Sequence, residues 1–287
     1  MAVSERKIYS IKLGRNRVLE LGRRTLIMGI LNITPDSFSD GGLYHDYDRA
    51  IARATELISE GTDILDVGGE STRPGSAPTP AEVELERVLP IIRAVRKKSD
   101  IPISIDTAKA EVADKALEAG ADIINDISSL RFDPQMVRVA SRSGAPLILM
   151  HMLGTPKTMQ VNPVYQSVIS EIIAFLEERM GYAVENGVER AQIIVDPGIG
   201  FGKTPEHNLK IIRDLDAFSC LNRPILLAAS RKRFLGALTG NSERGRELGT
   251  AIADSFGICA GAHMIRVHDV AFHREAVTVA DALREAI

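Results

Sequence analysis

The sequence predicts an α/β fold, a (β/α)8 TIM barrel with an N-terminal β-hairpin. Eight short apolar runs typical of buried parallel strands alternate with eight amphipathic stretches typical of helices, and a glycine repeatedly stands between a helix and the next strand. The connections are long enough for right-handed crossovers, which favours a closed barrel over an open, doubly wound sheet. The 287 residues would also suffice for two small domains. Because a single barrel runs to about 250 residues or more, we expect one domain over residues 1–287.

The first predicted element is a hairpin over residues 8–21, which we expect to cover the floor of the barrel. Two alternating runs in "IYSIKLGRNRVLEL" flank a Gly-Arg-Asn turn there. Eight strands are predicted to follow, at Leu26–Asn32, 63–67, 102–106, 122–126, 146–151, 192–196, 224–230 and 263–268.

Helices are predicted between the strands, beginning near residues 47, 80, 109, 134, 164, 205, 242 and 271. The clearest covers 164–180, where apolar side chains recur every four residues on one stripe: Val164, Val168, Ile172, Leu176 and Met180. Five glycines fit the left-handed backbone position that ends a helix: Gly61, Gly120, Gly144, Gly187 and Gly261.

The composition is that of an ordinary globular protein, with 45% hydrophobic and 25% charged residues. A net charge of -3 provides no general basic field, so we expect small-molecule ligands and neither nucleic acid nor a membrane as a partner. No apolar run approaches the roughly 20 residues that span a bilayer, and the first residues contain no apolar signal core, which indicates a cytoplasmic protein. Cys220 and Cys259 lack C-x-x-C spacing and are expected to be buried, reduced thiols.

A polar group stands at the carboxyl end of every predicted strand. In such barrels the loops at these ends converge on the central axis. In chain order the groups are Asn32, the "GGESTRPGS" segment, Asp106, Asn125 with Asp126, His151, Asp196, Ser230 with Lys232, and Arg266 with His268. A single aspartate such as Asp106 is more often a helix cap than a ligand. Eight polar ends together predict a binding site, because burying them without partners would cost several kcal/mol each.

The acceptor-rich side of this rim suits a flat heterocycle. Asp106, Asn125 and Asp196 offer oxygen acceptors to ring nitrogens and an amino group, and carboxylates can accept such donors bidentately. Lys232 supplies the opposing donor.

The other side carries cations and suits phosphate or pyrophosphate. Arg73, Arg266 and His268 stand there with the backbone N–H groups of the "GGESTRPGS" loop. Asn32 is a candidate ligand for Mg²⁺, which often uses one protein oxygen together with phosphate oxygens and waters. The predicted ligand therefore has a heterocyclic end and an anionic end.

Two motifs suggest other sites but fail on spacing. "GFGKT" (200–204) resembles the end of a nucleotide-binding P-loop, yet Pro197 occupies the position of its first glycine. "MHM" (150–152) has no second histidine at metal-ligand spacing, so we expect His151 to be a pocket wall or a hydrogen-bonded core residue. No H-x-x-x-H pair occurs, and no zinc site is predicted.

Eight motifs, in order along nearly the whole chain, resemble those of the dihydropteroate synthases. They are "MGILNITPDSFSDGG" (28–42), "DVGGESTRPGS" (66–76), "SIDT" (104–107), "NDI" (125–127), "MHMLGTPKTMQ" (150–160), "DPGIGFGKT" (196–204), "SRK" (230–232) and "RVHDV" (266–270). The resemblance implies condensation of 6-hydroxymethyl-7,8-dihydropterin diphosphate with 4-aminobenzoate to 7,8-dihydropteroate and pyrophosphate, with Mg²⁺ required. It also implies a homodimer and a target of sulfonamides.

The resemblance further implies roles for individual residues. The pterin would be held by Asp106, Asn125, Asp196 and Lys232. The diphosphate would be held by Thr72, Arg266, His268 and, through Mg²⁺, Asn32. The aminobenzoate ring would lie between Phe38 and Pro74, with its carboxylate at Ser230 and with Arg73 near the diphosphate. Met150 and Phe201 complete the substrate-binding set. Catalysis would rest on Asp106, Lys232, Arg266 and His268.

Two other functions compete with this one. A methyltetrahydrofolate methyltransferase would share the pterin-binding residues but would not need Phe38, Arg73 or Ser230. A pterin-binding scaffold without activity would have lost some of its cationic residues, and all four are present: Arg73, Lys232, Arg266 and His268. One residue departs from the family pattern, since Ala228 stands where many members have glycine; its methyl group is expected to narrow the pocket floor slightly.

Overall fold

The chain begins with the predicted hairpin. The structure is a computed structural model that describes residues 5–34, 42–71 and 75–286, with the backbone only at 42–46. Strands β1 (Tyr9–Leu13) and β2 (Arg17–Leu21) pair antiparallel. Arg15 and Asn16 have φ values of 60° and 56° and form the left-handed centre of the turn, which Arg17 N–H closes by donating to Gly14 O at 3.4 Å.

Eight parallel strands, β3 to β10, form the predicted barrel. Their bounds are Leu26–Asn32, Ile64–Gly68, Ile103–Asp106, Ile123–Asp126, Leu147–Met150, Ile193–Asp196, Leu226–Leu227 and Met264–Val267. The strand order is β8-β7-β6-β5-β4-β3-β10-β9. A parallel bridge between Val195 and Ile225 joins the two ends of this sheet and closes the barrel.

The hairpin covers the amino-terminal end of the barrel. Ile11 and Leu21 are fully buried against a cluster of strand residues that includes Met28, Ile148 and Ile194. The side-chain amide of Gln192 accepts from Lys12 N–H at 3.2 Å and donates to Lys12 O at 2.8 Å. Apolar burial and these two bonds fix the hairpin as a floor, which leaves the opposite end of the barrel for the site.

Nine helices are described in residues 42–71 and 75–286, and they pack their apolar faces on the strands. Their bounds, from α1 to α9, are Gly42–Ser59, Ala81–Lys98, Ala110–Ala119, Met136–Ser143, Val168–Glu185, Pro205–Arg213, Arg233–Thr239, Glu243–Cys259 and Val270–Glu285. The five glycines predicted to end helices all have positive φ values, from 64° at Gly144 to 117° at Gly120.

The prediction missed one helix and misplaced several element ends, among them the start of α1, which lies at Gly42 instead of near residue 47. The helix predicted from 164 begins at Val168, because the Glu171 carboxylate accepts Ser167 N–H at 2.8 Å and fixes the first turn there; Val164 is 67% exposed. The predicted strand 224–230 is reduced to β9, because Lys232 N–H donates to Ala229 O at 3.2 Å and starts a turn. The short helix α7 was not predicted, since two turns are too few for an apolar period to appear.

Both cysteines are free thiols, but the prediction that they are buried was wrong. Cys220 is exposed because it lies in a 3-10 turn at 215–221 on the surface, and Cys259 is half-buried at the last residue of α8. In the described part of the chain, no helix is both long and apolar enough to cross a membrane.

Candidate active site

The strand ends form one layer at the carboxyl-terminal rim of the barrel. Strand register places Asn32 beside Gly68, Gly68 beside Asp106, and Asp106 beside Asn125. Across the barrel, Met150 lies beside Asp196. Neighbouring parallel strands that end together direct these side chains toward the same axis. The structure therefore brings most of the described residues of the predicted site to one rim.

Arg266 is the central cation of this rim. Its Nε donates to Asp66 Oδ2 and its Nη2 donates to Asp106 Oδ2, each at 2.6 Å. The fork of a guanidinium suits two acceptors at fixed angles. Because Arg266 pairs with Asp106, the predicted acceptor side and the predicted cationic side adjoin each other at this residue. The helix-cap alternative for Asp106 does not apply, because Asp133 accepts the N–H of Ala110 at the start of α3.

Asp66 was not predicted from the sequence, yet it contacts two residues of the predicted site. It is fully buried inside β4, where it accepts from Arg266 and lies 3.3 Å and 3.4 Å from the side-chain nitrogen of Asn125. A carboxylate in the middle of a buried parallel strand is rare without a partner. That position was the available signal, and the partner was not visible because Arg266 lies 200 residues away in sequence.

Asp106 has one oxygen that is available to a ligand. Its Oδ2 accepts from Arg266, whereas its buried Oδ1 has no hydrogen-bond partner among the described residues. Burial raises the pKa of Asp106 to about 7, against the opposing effect of Arg266. A buried carboxyl oxygen without a donor is costly, so this atom indicates where a donor from a ligand would bind.

Lys232 faces the carboxylate side of the site from the start of α7. Its Nζ lies 4.1 Å from the centroid of the Phe201 ring, within cation–π range. Gly200 makes room for it, because a Cβ there would lie 3.0 Å from Lys232 Cδ. Burial and then the charge of Arg266 lower the pKa of Lys232 to about 8, while burial raises the pKa of Asp196 to about 6. At neutral pH the pair is mostly an ammonium and a carboxylate.

His268 and Ser230 form a hydrogen-bonded pair on the other side of Arg266. Ser230 Oγ lies 2.8 Å from His268 Nδ1 and accepts the backbone N–H of His268 at 3.2 Å. Burial and the charge of Arg266 lower the pKa of His268 to about 3, so the imidazole is neutral. The serine hydroxyl can donate to Nδ1, which leaves the proton on Nε2 as a donor to a ligand.

An apolar wall adjoins these polar groups. Met150 and Phe201 pack in one buried cluster with Ile127, Met152 and Met159. Such a wall is suited to one face of a flat ring.

Lys203, from the rejected "GFGKT" motif, is a second buried lysine that the sequence analysis did not assign. Its Nζ lies 2.9 Å from His151 Nδ1 and donates to Phe201 O at 3.1 Å. His151 is therefore a hydrogen-bonded core residue. Because Gly198 has φ of 70° and a Cβ there would overlap His151 O, this loop is packed backbone to backbone beneath Phe201.

Asn32 fits a role as one ligand of a divalent cation. Its amide oxygen is of the hard type that Mg²⁺ prefers. Because Gly68 has no Cβ, which would lie 3.5 Å from Asn32 Oδ1, that side of the oxygen is open. Within residues 5–34, 42–71 and 75–286, no three acidic, histidine or cysteine side chains group as a metal site. The ion would therefore be held jointly with the substrate's phosphate oxygens.

Four predicted substrate-binding residues, Phe38, Thr72, Arg73 and Pro74, lie outside the described residues. The base of the second of these loops is described. Lys109 Nζ pairs with Glu84 at 2.6 Å and also with Glu70, next to the described Ser71, and Glu70 accepts Thr79 N–H at 2.9 Å. These bonds tie both ends of the loop to α2 and to the start of α3.

Comparison with known proteins identifies the family. Residues 28–268 match the family of pterin binding enzymes. A dihydropteroate synthase of Synechocystis is 46% identical over 267 residues, covering 93% of this chain and 92% of the relative. Two dihydropteroate synthase structures superpose with TM-scores of 0.90 at 38% identity. One, from Yersinia pestis with a sulfonamide drug, covers 97% of this chain and 100% of its own. The other, from Xanthomonas albilineans with 4-aminobenzoic acid, covers 98% and 100%.

The fold, the rim of polar strand ends and the full-length similarity agree. The chain belongs to the pterin-binding enzymes and, within them, to the dihydropteroate synthase family.

Proposed function

We propose that the described rim carries out the dihydropteroate synthase reaction of the family by binding the pterin on its carboxylate side and the diphosphate at Arg266. The observation that carries this proposal is the meeting of Asp106, Asn125, Asp196 and Lys232 around the Arg266 fork. Acceptors, one ammonium and one guanidinium match a ligand that joins a nitrogen heterocycle to an anion.

The pterin end is proposed to use polar atoms that no described residue pairs. Asp106 Oδ1 would accept from the ring, and Asp196 would accept from the amino group and a ring nitrogen. Lys232 would donate to a ring acceptor, and Asn125 has both a donor and an acceptor to contribute. Met150 and Phe201 would pack on the ring face.

The diphosphate end is proposed to lie at Arg266 and His268. Neither aspartate engages Nη1 of Arg266, so that nitrogen can donate toward the phosphates, as can the Nε2–H of His268. Thr72 and Arg73 would add donors from the second loop. Asn32 would hold Mg²⁺, which supplies positive charge to the leaving pyrophosphate when bound.

The proposed reaction is dissociative and needs no strong base. The bond between the pterin methylene carbon and the diphosphate oxygen breaks, and its electron pair leaves with pyrophosphate. The amine of 4-aminobenzoate then bonds to the methylene carbon and loses a proton. Arg266 and His268 would stabilise charge on the leaving group, while Asp106 and Asp196 would stabilise the electron-poor pterin. Groups fixed before the reaction contribute a few kcal/mol each.

The aminobenzoate pocket is proposed to form between Phe38 and Pro74, with Arg73 near the diphosphate. Ser230 was predicted to receive the carboxylate. In the structure its hydroxyl is paired with His268, so it would have to exchange that partner for the carboxylate. The sulfonamide bound to the Yersinia pestis relative supports sulfonamides as ligands of the same pocket here.

A homodimer is proposed through the outer faces of α8 and α9, which pack against each other. Leu248, Ile252 and Phe256 recur every four residues on α8 and are about half exposed, and Val279 and Leu283 on α9 are 60% exposed. A two-fold interface uses the same patch on both subunits, and exposed apolar patches mark such surfaces. Ile252→Glu should give a monomer in light scattering; a dimer that persists contradicts this interface.

We also propose that the chain is one pterin-binding domain over residues 1–287 and that it acts in the cytoplasm without nucleic acid or membrane partners.

The reaction is tested by measuring pyrophosphate release from 6-hydroxymethyl-7,8-dihydropterin diphosphate and Mg²⁺, with and without 4-aminobenzoate. Release that depends on aminobenzoate, with dihydropteroate as product, is expected. Asp106→Asn should lose it, and the exposed Asp216→Asn should not. Pterin binding without release would contradict the synthase and restore the methyltransferase and scaffold alternatives.

A further inference from the structure

Arg231 has an unusual backbone conformation between two site residues. It follows Ser230 and precedes Lys232, and its φ is 55°. For a residue with a long side chain the left-handed region costs about 1–2 kcal/mol. The turn is closed by Lys232 N–H donating to Ala229 O at 3.2 Å. The conformation of residue 231 sets the directions of the Ser230 and Lys232 side chains. Contacts elsewhere in the fold must offset the cost of this conformation.

Helix α8 holds both the backbone and the side chain of Arg231. The backbone N–H of Arg231 donates to Thr250 Oγ1 at 3.1 Å, and that hydroxyl donates to Arg246 O at 2.7 Å. The guanidinium Nε of Arg231 pairs with Glu247 Oε1. Glu247 and Thr250 are three residues apart and thus lie on one face of the helix. Helix α8, which packs outside the strands of the barrel, therefore holds the turn through two contacts.

Glu247 is in turn fixed by a buried histidine from α9. His273 Nε2 lies 3.2 Å from Glu247 Oε2, and its Nδ1 lies 3.1 Å from Asp254 Oδ2. His273 is fully buried and Asp254 is 1% exposed. Although burial lowers it, the two carboxylates raise the pKa of His273 to about 9, so the imidazole is protonated at neutral pH and pairs its charge with both carboxylates.

A buried charged cluster is weak evidence for a role in stability. Buried ion pairs of this kind are often replaceable by apolar residues without loss of stability. The cluster fixes one orientation of the Glu247 carboxylate, and Glu247 in turn fixes Arg231. The cluster therefore lies in a line of contacts that ends at the two site residues of the "SRK" motif.

We propose that Glu247, oriented by His273 and Asp254, is a positioning residue that holds Arg231 in its left-handed conformation and so aims Ser230 and Lys232 into the site. This proposal rests on the proposed function for what those two residues bind. Glu247 itself touches no substrate. Its removal should weaken substrate binding through the turn and leave the barrel folded.

The test is a double-mutant cycle of Glu247→Gln and Arg231→Ala, read by the calorimetric Kd for the pterin substrate and the KM for both substrates. Glu247→Gln keeps the shape and removes the charge, and should raise the pterin Kd about five- to tenfold with a smaller change in kcat. Arg231→Ala keeps the cost of a positive φ and removes the guanidinium, so it should raise the Kd similarly, and adding Glu247→Gln to it should change nothing further. Glu243→Gln, exposed on the same helix, is the control.

If Glu247→Gln raises the pterin Kd by the same factor in the wild type and in the Arg231 variant, the proposal is overturned, since Glu247 would then act without Arg231. A lower Tm with unchanged Kd and KM would show a merely structural role and would overturn it as well. If Glu247→Gln does not fold, Arg231→Ala alone must still raise the Kd.

A readout without substrate separates this proposal from the proposed function. Lys232 acetylation by acetic anhydride, followed by peptide mass spectrometry, should be several-fold faster in Glu247→Gln than in the wild type or in Glu243→Gln. An unchanged rate overturns the positioning role, whichever reaction the wild type catalyses.

Discussion

Replacing Lys232 tests the pterin-binding side of the site. Its ammonium lies 4.1 Å from the Phe201 ring centroid, and burial together with Arg266 lowers its pKa to about 8. At neutral pH it is therefore a protonated donor with little solvent around it. Lys232→Met keeps the apolar stem and removes the charge, whereas Lys232→Ala removes the stem's contact with Phe201 as well.

We expect both substitutions to weaken pterin binding. A hydrogen bond to a charged group contributes about 1.5–3 kcal/mol net, which corresponds to a roughly 10- to 150-fold higher Kd. Lys232→Ala should lose slightly more than Lys232→Met. The KM for 4-aminobenzoate should change less, because the proposed ring pocket lies at Phe38 and Pro74.

Lys232→Met should not weaken the fold. The lowered pKa means that the unfolded chain binds this proton more tightly than the folded chain does. The wild type therefore gains stability from this group as pH rises from about 8 toward the ordinary lysine value of 10.5, and the Met variant does not.

Isothermal calorimetry with the pterin substrate and thermal unfolding from pH 7 to 10 measure these effects, with the exposed Lys98→Met as control. A pterin Kd equal to that of the wild type would refute the assignment of Lys232. A Tm lowered by several degrees at pH 7 would show that the lysine supports the fold.

Three further predictions concern other parts of the site. Phe38→Ala should raise the KM for 4-aminobenzoate far more than that for the pterin, and steady-state kinetics showing equal effects would contradict ring stacking. Asp66→Asn neutralises one of the two carboxylates that pair with Arg266 but keeps an acceptor oxygen, and it should lower the free energy of unfolding by about 2 kcal/mol. Urea denaturation that shows no such loss would contradict a stabilising role of this pair. In the wild type, kcat/KM for the pterin should be highest between about pH 7, above which both Asp106 and Asp196 are ionised, and about pH 8, above which Lys232 loses its proton. In Asp196→Asn the acid limb should lose its second step near pH 6 and keep the Asp106 step near pH 7; an unchanged limb would assign that second step to another group.

The location of the site follows from the sequence because a parallel barrel places all strand ends at one rim. Once the strands are recognised, we expect Asn32, Asp106, Asn125 and Asp196 at one rim. The register places Asp106 beside Asn125, Asn32 one strand away from Asp106, and Asp196 at the end of β8 beside Met150. The chain's own apolar periods were sufficient for this step. Element ends were less certain, as at Val164, because a single carboxylate bond at Ser167 decides where the helix begins.

Pairings between distant parts of the chain could not be predicted in the same way. Asp66 lies inside a strand, and its partner Arg266 comes from a strand that closes the barrel next to β3. The contact of Glu247 with His273 depends on how α8 and α9 rotate against each other. Periodicity shows which face of a helix is buried, but a buried charge identifies its partner only in three dimensions.

The most direct test of the account is a crystal structure of the enzyme with 6-hydroxymethyl-7,8-dihydropterin diphosphate and Mg²⁺. We expect the pterin ring to lie on the apolar wall formed by Met150 and Phe201, with the diphosphate pointing to Arg266. The expected polar contacts to the ring come from Asp106, Asn125, Asp196 and Lys232. A substrate bound elsewhere, or bound with ring and diphosphate exchanged, would contradict the account.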